Sequence, residues 1–92
     1  MEIRVHWTAR SERHVRRHRV RAFEVDELLN SRRYYLRKER GRYIVIGRAF
    51  SRFLFLVLEP SAGVPGKQEV VTARDATVSE RHLFRRRRKG AQ

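Results

Sequence analysis

The sequence predicts an α+β domain: a small antiparallel sheet of four or five strands, with two N-terminal helices and one C-terminal helix. Helix-like polar segments fill the first third of the chain, strand-like apolar runs fill residues 34–74, and a helix-capping motif followed by arginines comes last. With 92 residues, the chain has room for one domain. We expect this domain to cover residues 1–84. Residues 85–92 are expected to form a basic tail, either disordered or a frayed end of the last helix.

The first elements are a strand and a helix. Residues 3–7 are predicted to form a short strand. Thr8 is a good N-cap for a helix over residues 9–18. Val15 is the clearest apolar residue of this helix, so the stems of its arginines must help to cover the core.

A second helix is predicted over residues 22–29. Acidic residues lie early in it, where the helix dipole favours them. Asn30 is expected to end it. Its apolar edge consists of Val25, Leu28 and Leu29.

Strands dominate the middle of the chain. An edge strand over residues 34–37 and a turn at 39–41 precede two strong strand segments, 42–48 and 53–59. The short link at 49–52 predicts that these two strong strands form an antiparallel hairpin.

The strongest strand leads to a loop, a final strand and the last helix. Residues 53–58 are apolar without alternation, which predicts a central strand covered on both faces. Pro60 should end it, residues 61–66 form a loop, and residues 69–74 form the last strand. A helix should then start at Val78 and continue into the arginines. Its predicted capping box is Thr77-Val78-Ser79-Glu80.

Positive charge is concentrated at the two ends of the chain. The formal net charge is +13, with +8 in residues 1–48, −1 in residues 49–80 and +6 in residues 81–92. Self-repulsion of this size destabilises a compact state, so an anionic partner such as RNA is expected.

Composition excludes several classes of protein. Without cysteine there are no disulfides and no Cys-based zinc sites. His14 and His18 have a spacing that suits two metal ligands, but no third ligand is evident, so neither a metal nor another cofactor is expected.

The longest apolar run, residues 53–58, is far shorter than the roughly 20 residues that span a bilayer, and the N-terminus has no apolar signal region. We therefore expect a cytoplasmic protein with no membrane partner.

Three arginines are candidates for binding RNA phosphate. Arg48 and Arg52 flank the hairpin link, and Arg74 ends the last predicted strand. If Arg74 lies beside either of them, two guanidinium groups can hold one phosphate. The alternative for each is a surface arginine or an ion pair. The possible carboxylate partners are Glu59, Asp75 and Glu80.

A series of segments, taken in order, also has the spacing of a known family. These segments are Trp7-Thr8, His14, Arg17-His18-Arg19-Val20, Glu24-Val25-Asp26-Glu27-Leu28, Arg42-Tyr43-Ile44-Val45-Ile46-Gly47-Arg48, Arg52, and Val70-Val71-Thr72-Ala73-Arg74-Asp75-Ala76-Thr77 with Glu80-Arg81. On these segments the chain resembles the BrnT-type toxins, a branch of the RelE-like ribonucleases of bacterial type II toxin–antitoxin systems. It departs from the family at Thr8, where the family usually has Asp, and at Arg17 and Arg19, where it usually has Lys and Gly.

The resemblance implies a RelE-like fold and a metal-independent endoribonuclease that cleaves RNA and inhibits translation. It also implies a small BrnA-like antitoxin of the ribbon-helix-helix type, with promoter DNA bound only through that antitoxin. The alternative is a basic module of the same fold that binds RNA, the ribosome or a protein partner without cleavage.

Cleavage of RNA without a metal needs a base, an acid and cations that hold the charge developing on phosphorus. Arginine meets the third need well but is a poor base, because it stays protonated. We assign catalytic roles to Arg74, Arg48 and His18, the last on the resemblance. The residues expected to bind RNA are Arg52, Arg42, Tyr43, Arg17, Arg85 and Arg86. For Tyr43 the alternative is core packing. For the arginine runs it is a solvated surface or a docking site for an acidic antitoxin segment.

Overall fold

The predicted class is confirmed by the order of the secondary-structure elements. A computed structural model describes residues 2–90, with side chains described up to residue 86. The four strands form one antiparallel sheet in the order β1-β2-β3-β4. Within residues 2–90, no helix combines the length and apolar character needed to cross a membrane. The elements are α1 Ala9–Arg16, α2 Ala22–Ser31, β1 Tyr34–Glu39, β2 Arg42–Ala49, β3 Arg52–Pro60, β4 Gln68–Asp75 and α3 Val78–Gly90.

The N-terminal segment does not form the strand predicted over residues 3–7. It makes a single parallel bridge, between Val5 and Gln68 of β4. On either side of the bridge, the His6 amide donates to the Gln68 carbonyl and the Gln68 amide donates to the Arg4 carbonyl, each at 2.8 Å. This segment therefore satisfies part of the free edge of β4 without becoming a fifth strand.

Helix α1 begins as predicted and ends two residues early. The Ser11 amide donates to Thr8 Oγ1 at 3.1 Å, which confirms Thr8 as the N-cap. The helix ends at Arg16 because the chain turns back through Arg19, whose φ is +61°. This turn buries Val20 completely beside Val15, so burial of the two valines outweighs two further helical residues.

Helix α2 extends beyond the expected end at Asn30. It runs through Ser31 and ends where Arg32 takes the left-handed conformation, with φ +58°. The Arg32 amide then donates to the Leu29 carbonyl at 3.3 Å, and Ser31 Oγ donates to the Leu28 carbonyl at 2.6 Å. The apolar edge predicted for this helix is confirmed, since Val25, Leu28 and Leu29 are buried.

One face of the sheet carries the main core. Leu54, Leu56 and Leu58 of β3 are completely buried on it, against the apolar residues of α1 and α2. Gly47 of β2 lets α2 approach closely, because a Cβ at this position would lie 3.0 Å from two atoms of Leu28. We call this side the α1/α2 face.

The opposite side, here called the α3 face, is covered at one end. Strand β3 is central, as predicted, but Phe53, Phe55 and Val57 are only partly buried, so the expected cover on both faces is incomplete. Helix α3 follows β4 and lies across the sheet against β1 and β2. It buries Phe84 on this side.

Candidate nucleic-acid interface

Helix α3 is tied to the end of β4 by its own capping box. The Thr77 amide donates to Glu80 Oε1 at 2.8 Å, and the Glu80 amide donates to Thr77 Oγ1 at 3.2 Å, which confirms the predicted box. A third partner joins them, since Arg74 of β4 donates through both Nη atoms to the two oxygens of Glu80, each at 2.9 Å. The strand and the helix are therefore linked by a bidentate ion pair.

Arg74 is held on three sides. Besides Glu80, its Nη1 donates to the Asp75 carbonyl at 3.0 Å, and its Cζ lies 4.0 Å from the centre of the Phe55 ring. The hydrogen bond to Glu80 raises the pKa of Arg74 above its usual value, and the same bond lowers the pKa of Glu80. A guanidinium with a raised pKa does not exchange protons near neutral pH. The geometry supports Arg74 as a fixed positive charge and as a structural tie.

Arg52 forms a second network on the opposite face. Its Nε and Nη2 donate to Asp75 Oδ1 at 3.0 and 2.7 Å, and its Nη1 donates to the Arg19 carbonyl at 2.9 Å. The same Nη1 lies 3.4 Å from Glu24 of α2. Arg52 therefore joins β3, β4 and the segment between α1 and α2 on the α1/α2 face.

The two arginines do not converge on one phosphate. Arg74 points to the α3 face, where Glu80 binds it, whereas Arg52 points to the α1/α2 face, where Glu24 binds it. The pairs of Arg74 with Glu80 and of Arg52 with Asp75 are among the alternatives that the sequence left open, whereas the pair of Arg52 with Glu24 was not predicted. The arrangement of Arg52 beside Arg74 is therefore not formed.

Arg48 belongs to a different group, at the hairpin end of the α3 face. It is the cross-strand partner of Phe53, and its Cζ lies 5.9 Å from the centre of the Phe53 ring. Arg81 and Arg85 of α3 bring their Cζ atoms to 5.9 and 5.8 Å from the same ring. We call Phe53 with these three arginines the Phe53 cluster.

The Phe53 cluster is positively charged and has no acidic counterpart. Within residues 2–86, none of its three guanidinium groups forms an ion pair, and its one hydrogen bond to protein joins Arg48 Nε to the Phe50 carbonyl at 2.9 Å. Any two of the charges are at most about 12 Å apart, because each lies within 6 Å of one ring centre. An aromatic ring attracts cations, but it does not neutralise them. This arrangement leaves guanidinium donors available to an anion.

The spacing of residues along α3 positions the two arginines that this helix contributes to the Phe53 cluster. Phe84 and Arg85 follow Arg81 by three and four residues, which places all three on one side of α3. The buried Phe84 ring packs edge-on against Phe53 at 5.6 Å and thereby holds both arginines over the sheet. This spacing is present in the sequence, but the run of arginines at 85–88 makes it hard to recognise. Arg81 and Phe53 were therefore not predicted as site residues.

The other candidate residues are distributed over the surface. Arg42 donates to Glu59 at 3.2 Å. Tyr43 packs against the main core, and Lys38 Nζ lies 5.9 Å from the centre of the Tyr43 ring. Arg86 lines a shallow pocket on α3 together with Ser79, His82 and Arg85.

His18 and Arg17 lie beyond α1, on the other side of the sheet from the Phe53 cluster. His18 is exposed, and its ring centre is 6.3 Å from that of His14. Arg17 and His14 line a groove between α1 and β4, where the acidic residues Glu59 and Glu69 form the opposite wall. Within residues 2–86, no group of three acidic or histidine side chains is arranged to hold a metal ion.

Comparison of the chain with protein-family models, with curated proteins and with solved structures found no significant match. The resemblance to the BrnT-type toxins therefore stays a prediction.

Proposed function

We propose that this protein binds RNA on its α3 face, with the Phe53 cluster holding backbone phosphates, and that it acts as a ribonuclease toxin of the BrnT type. The observation that carries the proposal is the group of three arginines around one ring, with no carboxylate of residues 2–86 paired to any of them. Planar guanidinium groups suit phosphate oxygens, and an aromatic ring beside them can stack on a base. The net charge of +13 adds long-range attraction to a polyanion.

Salt dependence tests the binding site directly. Each phosphate contact with single-stranded RNA contributes about −0.7 to the slope of log affinity against log salt, so three contacts contribute about −2. Fluorescence anisotropy of a labelled single-stranded RNA across a salt series measures this slope. The variant with Arg48→Ala, Arg81→Ala and Arg85→Ala should bind more weakly and lose about 2 from the slope.

The matched control removes a charge at the other end of the sheet. Arg40 is exposed in the turn between β1 and β2 and has a φ of +51°, a conformation that asparagine tolerates. Arg40→Asn should leave the affinity close to that of the unsubstituted protein. If the triple variant keeps the original affinity and slope, the Phe53 cluster is not the RNA site.

Cleavage is the second part of the proposal and comes from the resemblance. The Phe53 cluster can stabilise charge on phosphorus, but a proton acceptor is also needed. His82 lies on α3, the helix that carries Arg81 and Arg85, whereas His18 lies on the other side of the sheet. In a metal-free assay containing a chelator, we expect His82→Ala to reduce cleavage more than His18→Ala does. The opposite order would support the assignment of His18.

Binding of RNA without cleavage is the second candidate function. It is favoured by the ion pair of Arg74 with Glu80, because this pair engages one of the two arginines that the sequence analysis assigned to catalysis. Under this alternative, protein at concentrations that saturate the RNA gives no shortened product, and the triple variant still loses affinity.

The toxin role implies a small BrnA-like antitoxin, which belongs to the proposal through the resemblance alone. Induction of this protein by itself should slow bacterial growth, and the triple variant should not. Normal growth on induction of soluble, RNA-binding protein would count against a toxin and leave the binding function in place.

A further inference from the structure

Two aromatic side chains are exposed around the hairpin turn between β2 and β3. Phe23, in the first turn of α2, is 61% exposed, and Phe50, in the hairpin turn between β2 and β3, is 57% exposed. Their ring centres lie 5.9 Å apart, with the planes tilted by 59°. The two rings therefore contact one another at a tilted angle at the surface instead of joining the core.

The backbone of Phe50 makes its exposure more informative. Phe50 and Ser51 form the two-residue turn between Ala49 and Arg52, and the φ of Phe50 is +58°. Glycine and asparagine adopt this left-handed conformation readily, whereas a bulky aromatic residue does so with strain. An exposed, strained phenylalanine contributes little to folding, so it points to a role in binding.

Phe50 is connected to the Phe53 cluster through Arg48. The Nε atom of Arg48 donates to the Phe50 carbonyl at 2.9 Å, while its guanidinium lies beside the Phe53 ring. Aromatic rings and guanidinium groups therefore follow one another around the hairpin end of the sheet. We call this series the aromatic–arginine track; its members are Phe23, Phe50, Arg48, Phe53, Arg81 and Arg85.

We propose that the track binds single-stranded RNA, with unpaired bases stacked on Phe50 and Phe23 and the neighbouring phosphates held by the Phe53 cluster. This inference rests on the proposed function and deepens it, since it names the form of RNA and a second subsite. Bases in a duplex are covered by their neighbours, whereas single-stranded bases present a free face to an aromatic ring.

The charges around the rings favour this ligand up to one limit. The carboxylate of Glu24 is occupied by Arg52 and by the Arg21 amide, so it does not oppose a phosphate near Phe50. Glu12 and Asp26 line the same pocket as Phe23, together with Arg16 and Arg21. Glu27 is exposed one helical turn beyond Phe23, so these three carboxylates mark the end of the track for an anionic ligand.

Substitution of Phe50 separates stacking from charge. Phe50→Asn keeps a residue that tolerates the turn, so stability against urea should not fall. Affinity for a labelled single-stranded RNA should fall by on the order of 10-fold, the effect of losing one base–aromatic contact. The salt slope should stay unchanged, because no charge is removed, and Phe50→Trp should retain the affinity.

Phe23→Ala should act in the same direction, and the control is Val78→Ala. Val78 is as exposed as Phe50, at 57%, but it is not part of the track. Val78→Ala should leave binding unchanged. A duplex of the same sequence should bind more weakly than the single strand, and this difference should shrink in Phe50→Asn.

The outcomes distinguish the aromatic–arginine track from the proposed function on which it rests, RNA binding by the Phe53 cluster. If the triple arginine variant loses affinity while Phe50→Asn and Phe23→Ala do not, RNA binding stands and the track is wrong. Equal affinity for duplex and single strand would also overturn the track. If the unsubstituted protein binds no RNA at all, both proposals fall together.

Discussion

Replacement of Glu80 by glutamine tests whether Arg74 is a structural tie. In the folded protein, Glu80 accepts two hydrogen bonds from Arg74 at 2.9 Å and one from the Thr77 amide at 2.8 Å. Glutamine keeps a single oxygen, so it loses the charge and one bond of the bidentate pair. The Glu80 side chain is 18% exposed and that of Arg74 is 36% exposed, so solvent screens part of the interaction.

The expected cost follows from these contacts. Hydrogen bonds to charged groups contribute about 1.5–3 kcal/mol, and partial exposure moves the estimate for Glu80→Gln to about 1–2 kcal/mol. Glu80→Ala also removes the carboxylate half of the capping box, which adds about 1 kcal/mol. Urea unfolding followed by the fluorescence of Trp7, the one tryptophan of the chain, measures both variants.

The pH dependence gives an independent check. Because the folded pKa of Glu80 is lowered from its ordinary value of 4.5, its contribution is complete above that value and is lost as the pH falls through the folded pKa. The difference in unfolding free energy between the unsubstituted protein and Glu80→Gln should therefore be constant near neutral pH and shrink under acidic conditions. If the two unfolding free energies differ by less than about 0.5 kcal/mol at pH 7, or if their difference grows on acidification, the Arg74–Glu80 ion pair does not stabilise the fold as argued.

Three further predictions concern the α1/α2 face and the catalytic assignment. Arg52→Ala should lower the unfolding free energy by about 2 kcal/mol, because Asp75 and the Arg19 carbonyl lose their partner; an effect within 0.5 kcal/mol would contradict this. Gly47→Ala should destabilise by about 1–3 kcal/mol through its contact with Leu28, and unchanged urea unfolding would show that α2 adjusts freely. Arg74→Lys keeps the charge without the bidentate geometry, so RNA affinity should stay close to normal while stability falls by about 1 kcal/mol; a large loss of affinity in stable protein would return Arg74 to the binding site.

Local chemistry explains why most elements could be predicted from the sequence. Thr8 and the Thr77 capping box each offer a side-chain acceptor to a free helix amide, and both operate as expected. The ends of α1 and α2 were harder to predict, because they depend on left-handed arginines. Arginine has no local preference for the left-handed conformation that Arg19 and Arg32 adopt. The turn at Arg19 is required by the burial of Val20 in the core.

The faces on which the arginines lie depend on strand register, which the sequence does not fix. Strands β3 and β4 are joined by a loop long enough to permit several pairings, and their register shifts between Val57 and Leu58. A slip by one residue exchanges the two faces of a strand. Such a slip would bring Arg74 to the side of Arg52, so residue types alone could not separate the convergent arrangement from the observed one.

The distribution of carboxylates gives a physical criterion for telling structural arginines from binding arginines. Ten acidic residues cannot neutralise 23 basic ones, so the choice of partners carries information. Carboxylates hold the side chains of Arg52 and Arg74 in place. A guanidinium that donates hydrogen bonds to a carboxylate has fewer N–H donors available for phosphate. Arg48, Arg81 and Arg85 lie instead around an aromatic ring, which attracts a guanidinium without occupying its N–H donors. Of these donors, only Arg48 Nε is used within residues 2–86, by the Phe50 carbonyl. A site for an anionic ligand is better served by this second kind of support, because a carboxylate partner offsets the positive charge and occupies some of the donors that the ligand would use.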